Sequence, residues 1–369
     1  MRTIVTIALA VLFSGIAGAA DSEALRRLLN TRSSGSPREY AAAAEIVARD
    51  AAAGHPLQQF VMAVFSKDRA MPPSVRLTDE QRRKYLEESK ERILALAKKK
   101  NNPLAWYLLS LEANDRTMLR RAVDGGNVQA LNAWGTILLN EMVSKGGLDT
   151  NGVWRIMKRG YECFEKAAAQ KDPNGLYNFG MCLLNGYGCE RDPEKALSYF
   201  KAAALSDHPE AINNIGGFYR DGIVVEKDDF LATRYFSRSA ELGNTYGELN
   251  FALALQRGEG IAQDEARAFG LFKDAASKGN AEAMNALGMC YFTGSGTEKN
   301  ELAAVLWFRR SSALGFAPAM ENLAVFYERG IGGLEKSISM GTVYKMRARA
   351  AQGDRNAAAW LAQNGYSLR

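Results

Sequence analysis

The sequence predicts an all-α fold, a solenoid of stacked helical hairpins, because two residue types share one period. A glycine returns every 36 residues, at Gly186, Gly222, Gly258, Gly294 and Gly330. A phenylalanine keeps the same spacing, at Phe164, Phe200, Phe236, Phe272 and Phe308. So regular a period indicates that each unit is one supersecondary motif whose apolar face is covered only by its neighbours.

The first helix of each unit is expected to end at a glycine loop. The loop has the pattern Gly-x-Gly, as in Gly186 and Gly188, because glycine adopts a positive φ at the lowest cost. Val224 replaces the second glycine in one unit. Six residues before the loop lies a small residue that lets a neighbouring helix approach closely: Gly180, Gly216, Ala252, Gly288 and Ala324.

The second helix is expected to begin six residues after the first glycine. Asp192, Asp228, Asp264 and Asn300 occupy this position, and their side chains can accept hydrogen bonds from the free N–H groups of a helix N-terminus. Pro193 follows at the first helical position, where proline fits best. An alanine then keeps the same period, at Ala196, Ala232, Ala268 and Ala304.

The combined pattern resembles the Sel-one-like repeat (SLR). The unit with the most complete pattern contains Ala283, Leu287, Gly288, Tyr291, Gly294, Gly296, Ala304, Trp307, Phe308 and Gly315. The resemblance is to a family of tetratricopeptide-like α-solenoids and covers residues 173–353 as regular repeats. It implies a right-handed superhelix that holds other macromolecules rather than an enzyme.

The rest of the chain is expected to hold irregular repeats. Residues 21–102 predict a degenerate helical region, in which Thr78 and Gln81 start a charged helix that ends before Pro103. Residues 103–172 predict divergent repeats, and the step of 45 residues from Gly135 to Gly180 places an insertion around residues 143–151. Residues 354–369 predict a C-terminal capping helix.

Residues 1–20 predict a secretory signal peptide, with Arg2, an apolar run from Ile4 to Ile16 and small residues before Asp21. An uncleaved anchor is the alternative, but the run is shorter than the ~20 residues that span a bilayer. The first cysteine is Cys163, so no lipoprotein anchor is expected. We therefore expect a periplasmic or secreted protein without a membrane span after cleavage.

The charge is mildly basic, with 47 Lys and Arg residues, 41 Asp and Glu residues and a net charge of +6. The charges are spread along the helices, which indicates a solvated outer face and argues against a nucleic-acid partner. Peptidoglycan or an acidic polysaccharide of the envelope is compatible with this charge.

Four cysteines in an oxidising compartment allow disulfides. Cys182 and Cys189 could clip one glycine loop as a candidate disulfide. Alternatively Cys182 and Cys290, which hold the same repeat position, are buried small apolar residues. No CxxC motif or Cys/His cluster is present, so no metal site or cofactor is predicted.

No catalytic residue is predicted. His55 and His208 both precede proline at the turn between repeats and are expected to be turn residues rather than bases. Ser198 and Lys201 match a Ser-x-x-Lys motif of penicillin-recognising enzymes, but Phe200 between them is the periodic core residue and the companion motifs are missing.

One polar position also repeats, two residues before the small residue of the first helix: Asn178, Asn214, Asn250 and Asn322. The resemblance implies that first helices line the concave side, where an asparagine can bind the backbone of an extended peptide. Alternatively each asparagine ties one hairpin to the next. Arg220, Arg257 and Arg329 lie just before the loops and could place positive charge along one edge.

These features favour an exported, non-enzymatic scaffold that binds a protein or peptide partner in the cell envelope along its concave groove. The alternative is a cell-wall protein or hydrolase that recognises peptidoglycan or β-lactams. An enzyme should show one cluster of reactive side chains that breaks the repeat, whereas the sequence shows polar residues that follow it.

Overall fold

The computed structural model describes Leu28 and residues 37–53, 56–65, 71–144 and 150–368. The predicted signal peptide and His55 lie outside these residues. In the described part, the secondary structure is α-helical apart from a 3-10 turn at Pro73–Val75. The helices are α1 (Pro37–Ala52), α2 (Pro56–Phe65), α3 (Asp79–Lys100), α4 (Pro103–Ala113), α5 (Arg116–Asp124), α6 (Val128–Ser144), α7 (Thr150–Ala169), α8 (Pro173–Asn185), α9 (Pro193–Ala204), α10 (Pro209–Asp221), α11 (Asp229–Glu241), α12 (Thr245–Arg257), α13 (Glu265–Ser277), α14 (Ala281–Thr293), α15 (Glu301–Ala313), α16 (Ala317–Arg329), α17 (Ile338–Ala351) and α18 (Arg355–Gln363).

The chain forms two compact units, Met1–Ile212 and Asn213–Arg369. In each unit, helices that follow one another in sequence pack together, as in α8 with α9 and α14 with α15. In the first unit, α8 also contacts α6, the first helix of the preceding hairpin. This pattern of contacts between neighbours confirms the predicted all-α solenoid of helical hairpins.

The predicted helix ends are confirmed. The four capping side chains each accept a hydrogen bond from the third residue of their helix, for example Asp228 Oδ1 from Leu231 N at 2.8 Å and Asn300 Oδ1 from Ala303 N at 2.9 Å. The loop glycines at Gly186, Gly258, Gly294 and Gly330 have a left-handed backbone conformation and cap the first helices. The period therefore reflects a repeated capping geometry.

The periodic phenylalanine packs against the small residue of the first helix. A Cβ at Gly180 would lie 2.8 Å from Phe200 Cε1, and one at Gly288 would lie 2.7 Å from Phe308 Cε1. Phe200 and Phe308 are completely buried. The small residue thus makes room for the ring that fills the core of its own hairpin.

The charged helix near the N-terminus is also confirmed. Thr78 and Gln81 form a capping box at the start of α3, with N···O distances of 3.2 and 2.9 Å. Asn101 ends α3 in a left-handed conformation, with φ of 43°. Local capping chemistry therefore determined both ends of this helix without help from the repeat period.

Val224 has the left-handed conformation that glycine provides in the other loops, with φ of 67°. A β-branched residue in this region is strained by roughly 1–2 kcal/mol. We expect Val224→Gly to raise the free energy of unfolding by about 1 kcal/mol, measured by urea denaturation. Val224→Ala keeps the Cβ and is the control, because an equal gain in that variant would contradict the strain explanation.

Candidate functional site

The repeated asparagines join first helices to one another. Asn250 Nδ2 donates to Asn213 Oδ1 at 2.8 Å, and Asn322 Nδ2 donates to Asn285 Oδ1 at 2.9 Å. Both bonds span 37 residues, one more than the period. The proposed tie between hairpins is therefore present in the structure.

The same bond occurs in the first unit across a longer span. Asn178 Nδ2 donates to Asn132 Oδ1 at 3.3 Å, 46 residues away. The nine additional residues match the insertion between Gly135 and Gly180. Asn214, the remaining predicted position, is half-buried on α10.

The tie leaves part of the Asn322 amide available. An asparagine has two N–H donors and an acceptor oxygen, and the bond from Asn322 to Asn285 uses one donor. Asn322 is half-buried rather than buried. Tying hairpins and binding a partner are therefore compatible roles, and the partner role stays a prediction.

The three arginines do not form one repeated edge. The residue 36 positions before Arg257 is Asp221, so Arg220 is one residue out of phase. Arg220 forms two hydrogen bonds with the carboxylate of Asp221, at 2.7 and 3.0 Å. Arg257 lies 3.7 Å from Glu259, and Arg329 is exposed at the end of α16. Neighbouring carboxylates thus neutralise two of the three predicted charges.

The structure brings Arg220, Asn250 and Arg257 together around a small recess in the second unit. The recess has a volume of about 30 Å³ and lies between α10, α11 and α12. Arg220 Nη1 lies 3.4 Å from Asn250 Oδ1, so the repeated asparagine and the arginine belong to one polar network. Thr233 supports the recess by donating to the carbonyl of Glu259 at 2.8 Å.

An exposed aromatic residue, Tyr246, lies on the same helix as Asn250. Its side chain is 59% exposed. The spacing of Tyr246, Asn250, Leu253 and Arg257 places them on one face of α12, hereafter called the α12 face. Tyr246 could not be predicted from the period, because the equivalent positions hold no other aromatic residue. Asn213 and Asn285 were not predicted either, although each lies 37 residues before a predicted asparagine.

The candidate disulfide between Cys182 and Cys189 is not formed in the structure, which contains both as free thiols. Cys189 Sγ instead donates to the carbonyl of Cys182 at 3.4 Å. Burial raises the pKa of the Cys182 thiol to about 12, which makes the thiolate needed for disulfide exchange scarce. Cys182 and Cys290 are both buried in apolar surroundings, as the alternative interpretation predicts.

His208 and Ser198 have structural contacts. His208 Nδ1 accepts from Ala211 N at 3.3 Å and the ring stacks on Tyr177 at 4.7 Å, so His208 caps α10. Ser198 donates to the carbonyl of Lys195 at 2.7 Å, and Phe200 is buried. These contacts support the interpretation of His208 as a turn residue and of the Ser-x-x-Lys match as coincidental.

None of the helices in the described part of the chain has both the length and the apolar character needed to span a bilayer. This finding covers only the described residues, which do not include the N-terminal apolar run.

Comparisons with known proteins agree with the fold and the period. The profile described as Sel1 repeat matches residues 157–172, 173–208, 209–244, 247–280, 281–316 and 317–341. No protein of curated function matches the chain.

Two solved structures share the fold. A Sel1 repeat protein from Oxalobacter formigenes is 24% identical with a TM-score of 0.55, covering 63% of this chain and 94% of that one. A protective antigen present in uropathogenic Escherichia coli strains, which displays an SLR fold, is 23% identical with a TM-score of 0.52. That match covers 86% of this chain and 66% of the antigen. At such identities the likeness concerns the fold alone.

The six matched repeats, the capped hairpins and the shared fold agree on the family of this chain. Sel1 repeats generally serve as scaffolds for protein–protein interaction and are typically not catalytic. This chain belongs to the Sel1 repeat family.

Proposed function

We propose that the protein is an exported scaffold that binds a protein or peptide partner in the cell envelope along its first helices. Export rests on the apolar run and small residues of the predicted signal peptide. The class of partner rests on the repeat family, whose members hold other proteins.

The observation that carries the proposal is the α12 face. Tyr246 offers an exposed aromatic ring, and Asn250 and Arg257 lie on the same face beside the recess. Aromatic and arginine side chains are the residues most often responsible for binding energy in interfaces. An amide between them can bind the backbone of an extended segment.

The recess itself is suited to anchoring rather than to chemistry. Its volume of about 30 Å³ is well below the roughly 300–1,000 Å³ of most small-molecule sites. Two hydrogen bonds to the carboxylate of Asp221 orient the Arg220 side chain at the rim of the recess. These features favour a protein or peptide over the cell-wall alternative.

The test is the recovery of envelope proteins by tagged native protein and by the double variant Tyr246→Ser/Arg257→Glu. Loss of one anchor residue typically weakens binding by about 2 kcal/mol or more, so we expect the double variant to lose at least nine-tenths of the recovered partner.

The matched control is Phe230→Ser/Arg234→Glu on α11. Phe230 is also 59% exposed and lies beside Arg234, so this variant removes an equal aromatic surface and an equal charge from a second helix. Full recovery with the control and loss with the first variant is the expected outcome. Equal recovery of partners with both variants would contradict the proposal. So would a native protein that retains purified peptidoglycan but no envelope protein.

A further inference from the structure

Helix α7 begins earlier than the second helices of the other repeats. In later repeats the second loop glycine packs on the first residue of the preceding second helix: a Cβ at Gly260 would lie 2.0 Å from Asp229 O. Gly188 makes the same contact with Met157, at 2.5 Å. Met157 is therefore the ordinary starting position, and Thr150–Ile156 adds two turns ahead of it.

The sequence explains this extension. With the insertion counted, position 141 corresponds to Gly186, the loop glycine 45 residues later that ends a first helix. This position holds Glu141, and α6 continues to Ser144 instead. Position 156 corresponds to Asp192, the capping residue 36 residues later that starts a second helix. This position holds Ile156, which cannot cap a helix. Without either signal both helices lengthen, so the nine inserted residues mainly extend the hairpin.

The extension exposes an aromatic residue among basic ones. Trp154 is 50% exposed, and Lys158 Nζ lies 4.9 Å from the centroid of its indole ring. Arg155 and Arg159 are exposed on the same turns. Residues 150–160 contain these three basic side chains and no acidic one.

Along this stretch of α7 the three exposed basic side chains are joined by one exposed carboxylate, that of Glu162. Glu141, at the end of α6, is paired with Arg116. Glu162 lies four residues after Lys158, on the same side of α7, and is also exposed. The surface formed by Trp154, Arg155, Lys158 and Arg159, hereafter the α7 surface, therefore has an aromatic ring at one edge, three basic side chains beside it and a net positive charge.

We propose that the α7 surface is a second binding site, which takes an acidic segment of a partner protein. Trp154 would cover an apolar side chain of the segment, and the three basic residues would pair with its carboxylates. The site goes beyond the proposed function, because it lies in the other compact unit and uses a second helix.

Charge complementarity and the small apolar area favour a protein over a membrane. A helix that binds a lipid surface needs a continuous apolar face, whereas Val153, Ile156 and Met157 are half-buried in the hairpin. One exposed tryptophan matches a single anchor position in a peptide.

The experiment measures the fluorescence anisotropy of a labelled twelve-residue peptide of repeating Glu-Glu-Leu, titrated with the full chain. We expect binding that weakens with salt and a Kd about tenfold higher for Trp154→Ala and for Arg155→Glu/Lys158→Glu. Circular dichroism would verify that both variants retain native helix content.

Leu205→Ala and Lys201→Glu are the controls, because Leu205 is 90% exposed and Lys201 is exposed on α9, away from the α7 surface. They should bind the peptide like the native chain. Equal binding of a Lys-Lys-Leu peptide, an unchanged Kd in both α7 variants, or binding of phosphatidylserine vesicles without binding of the acidic peptide would each overturn the proposal.

Discussion

Replacing Gly260 with alanine is expected to lower the free energy of unfolding by about 2–5 kcal/mol. The residue has φ of 68°, which costs an L-residue roughly 1–2 kcal/mol. The added Cβ would also lie 2.0 Å from the carbonyl oxygen of Asp229, a backbone atom that cannot move without displacing α11. Overpacking of this kind adds roughly 1–3 kcal/mol. Urea and thermal denaturation, followed by circular dichroism, measure the loss.

Gly258→Ala is the matched control within the same loop. Gly258 has φ of 71°, but the nearest atom to its added Cβ is 3.5 Å away. This variant should lose only the roughly 1–2 kcal/mol of the left-handed conformation. If the two variants were equally stable, the contact between the loop and the preceding second helix would not support the stack.

The stability of the native chain is expected to fall as the pH drops from about 6.5 to about 4, because of His208. Its side chain is 2% exposed, and burial lowers the pKa of His208 to about 4. A protonated ring would carry a buried charge and could no longer accept the hydrogen bond from Ala211 N. The carboxylate of Glu210, 3.3 Å away, is half-exposed, so solvent screening limits its support for a charged ring.

The sign follows from linkage. A base whose pKa is lower in the folded state contributes its full stability above its unfolded pKa of about 6.5 and loses it as the pH falls toward its folded pKa. The expected loss from His208 is about 2–3 kcal/mol between pH 7.5 and pH 4.5.

His208→Asn isolates this effect, because asparagine caps the equivalent helices at Asn244 and Asn280 and does not titrate. The free energy of unfolding, measured at both pH values, should decrease less in the variant than in the native chain by that amount. An identical pH dependence of the two proteins would show that His208 titrates normally in the folded state.

The repeated elements could be predicted from the sequence because their causes are local. Asp228 and Asn300 bond to their own helices, and Gly258 caps the helix that precedes it. The space beside Phe308 was predictable from the period of Gly288, since both belong to one hairpin.

The candidate site was less predictable because its contacts depend on how hairpins stack. Asn250 bonds to Asn213 rather than to Asn214. The hydrogen bonds between asparagines therefore follow a separation of 37 residues instead of the period of 36. Arg220 pairs with the adjacent Asp221, a contact that no repeat position suggests. The insertion was visible as a longer spacing, but only the missing signals at Glu141 and Ile156 could have indicated that it lengthens helices.

Each hairpin of the solenoid is expected to be supported by its sequence neighbours alone. Hydrogen exchange of Gly332→Ala tests it directly, because an added Cβ would lie 2.6 Å from Glu301 O and Val305 Cγ2. In a linear stack, exchange should accelerate most in α15, α16 and α17 and progressively less toward α11. A uniform acceleration of exchange in every helix from α11 to α18 would instead indicate a single cooperative core and rule out a linear stack.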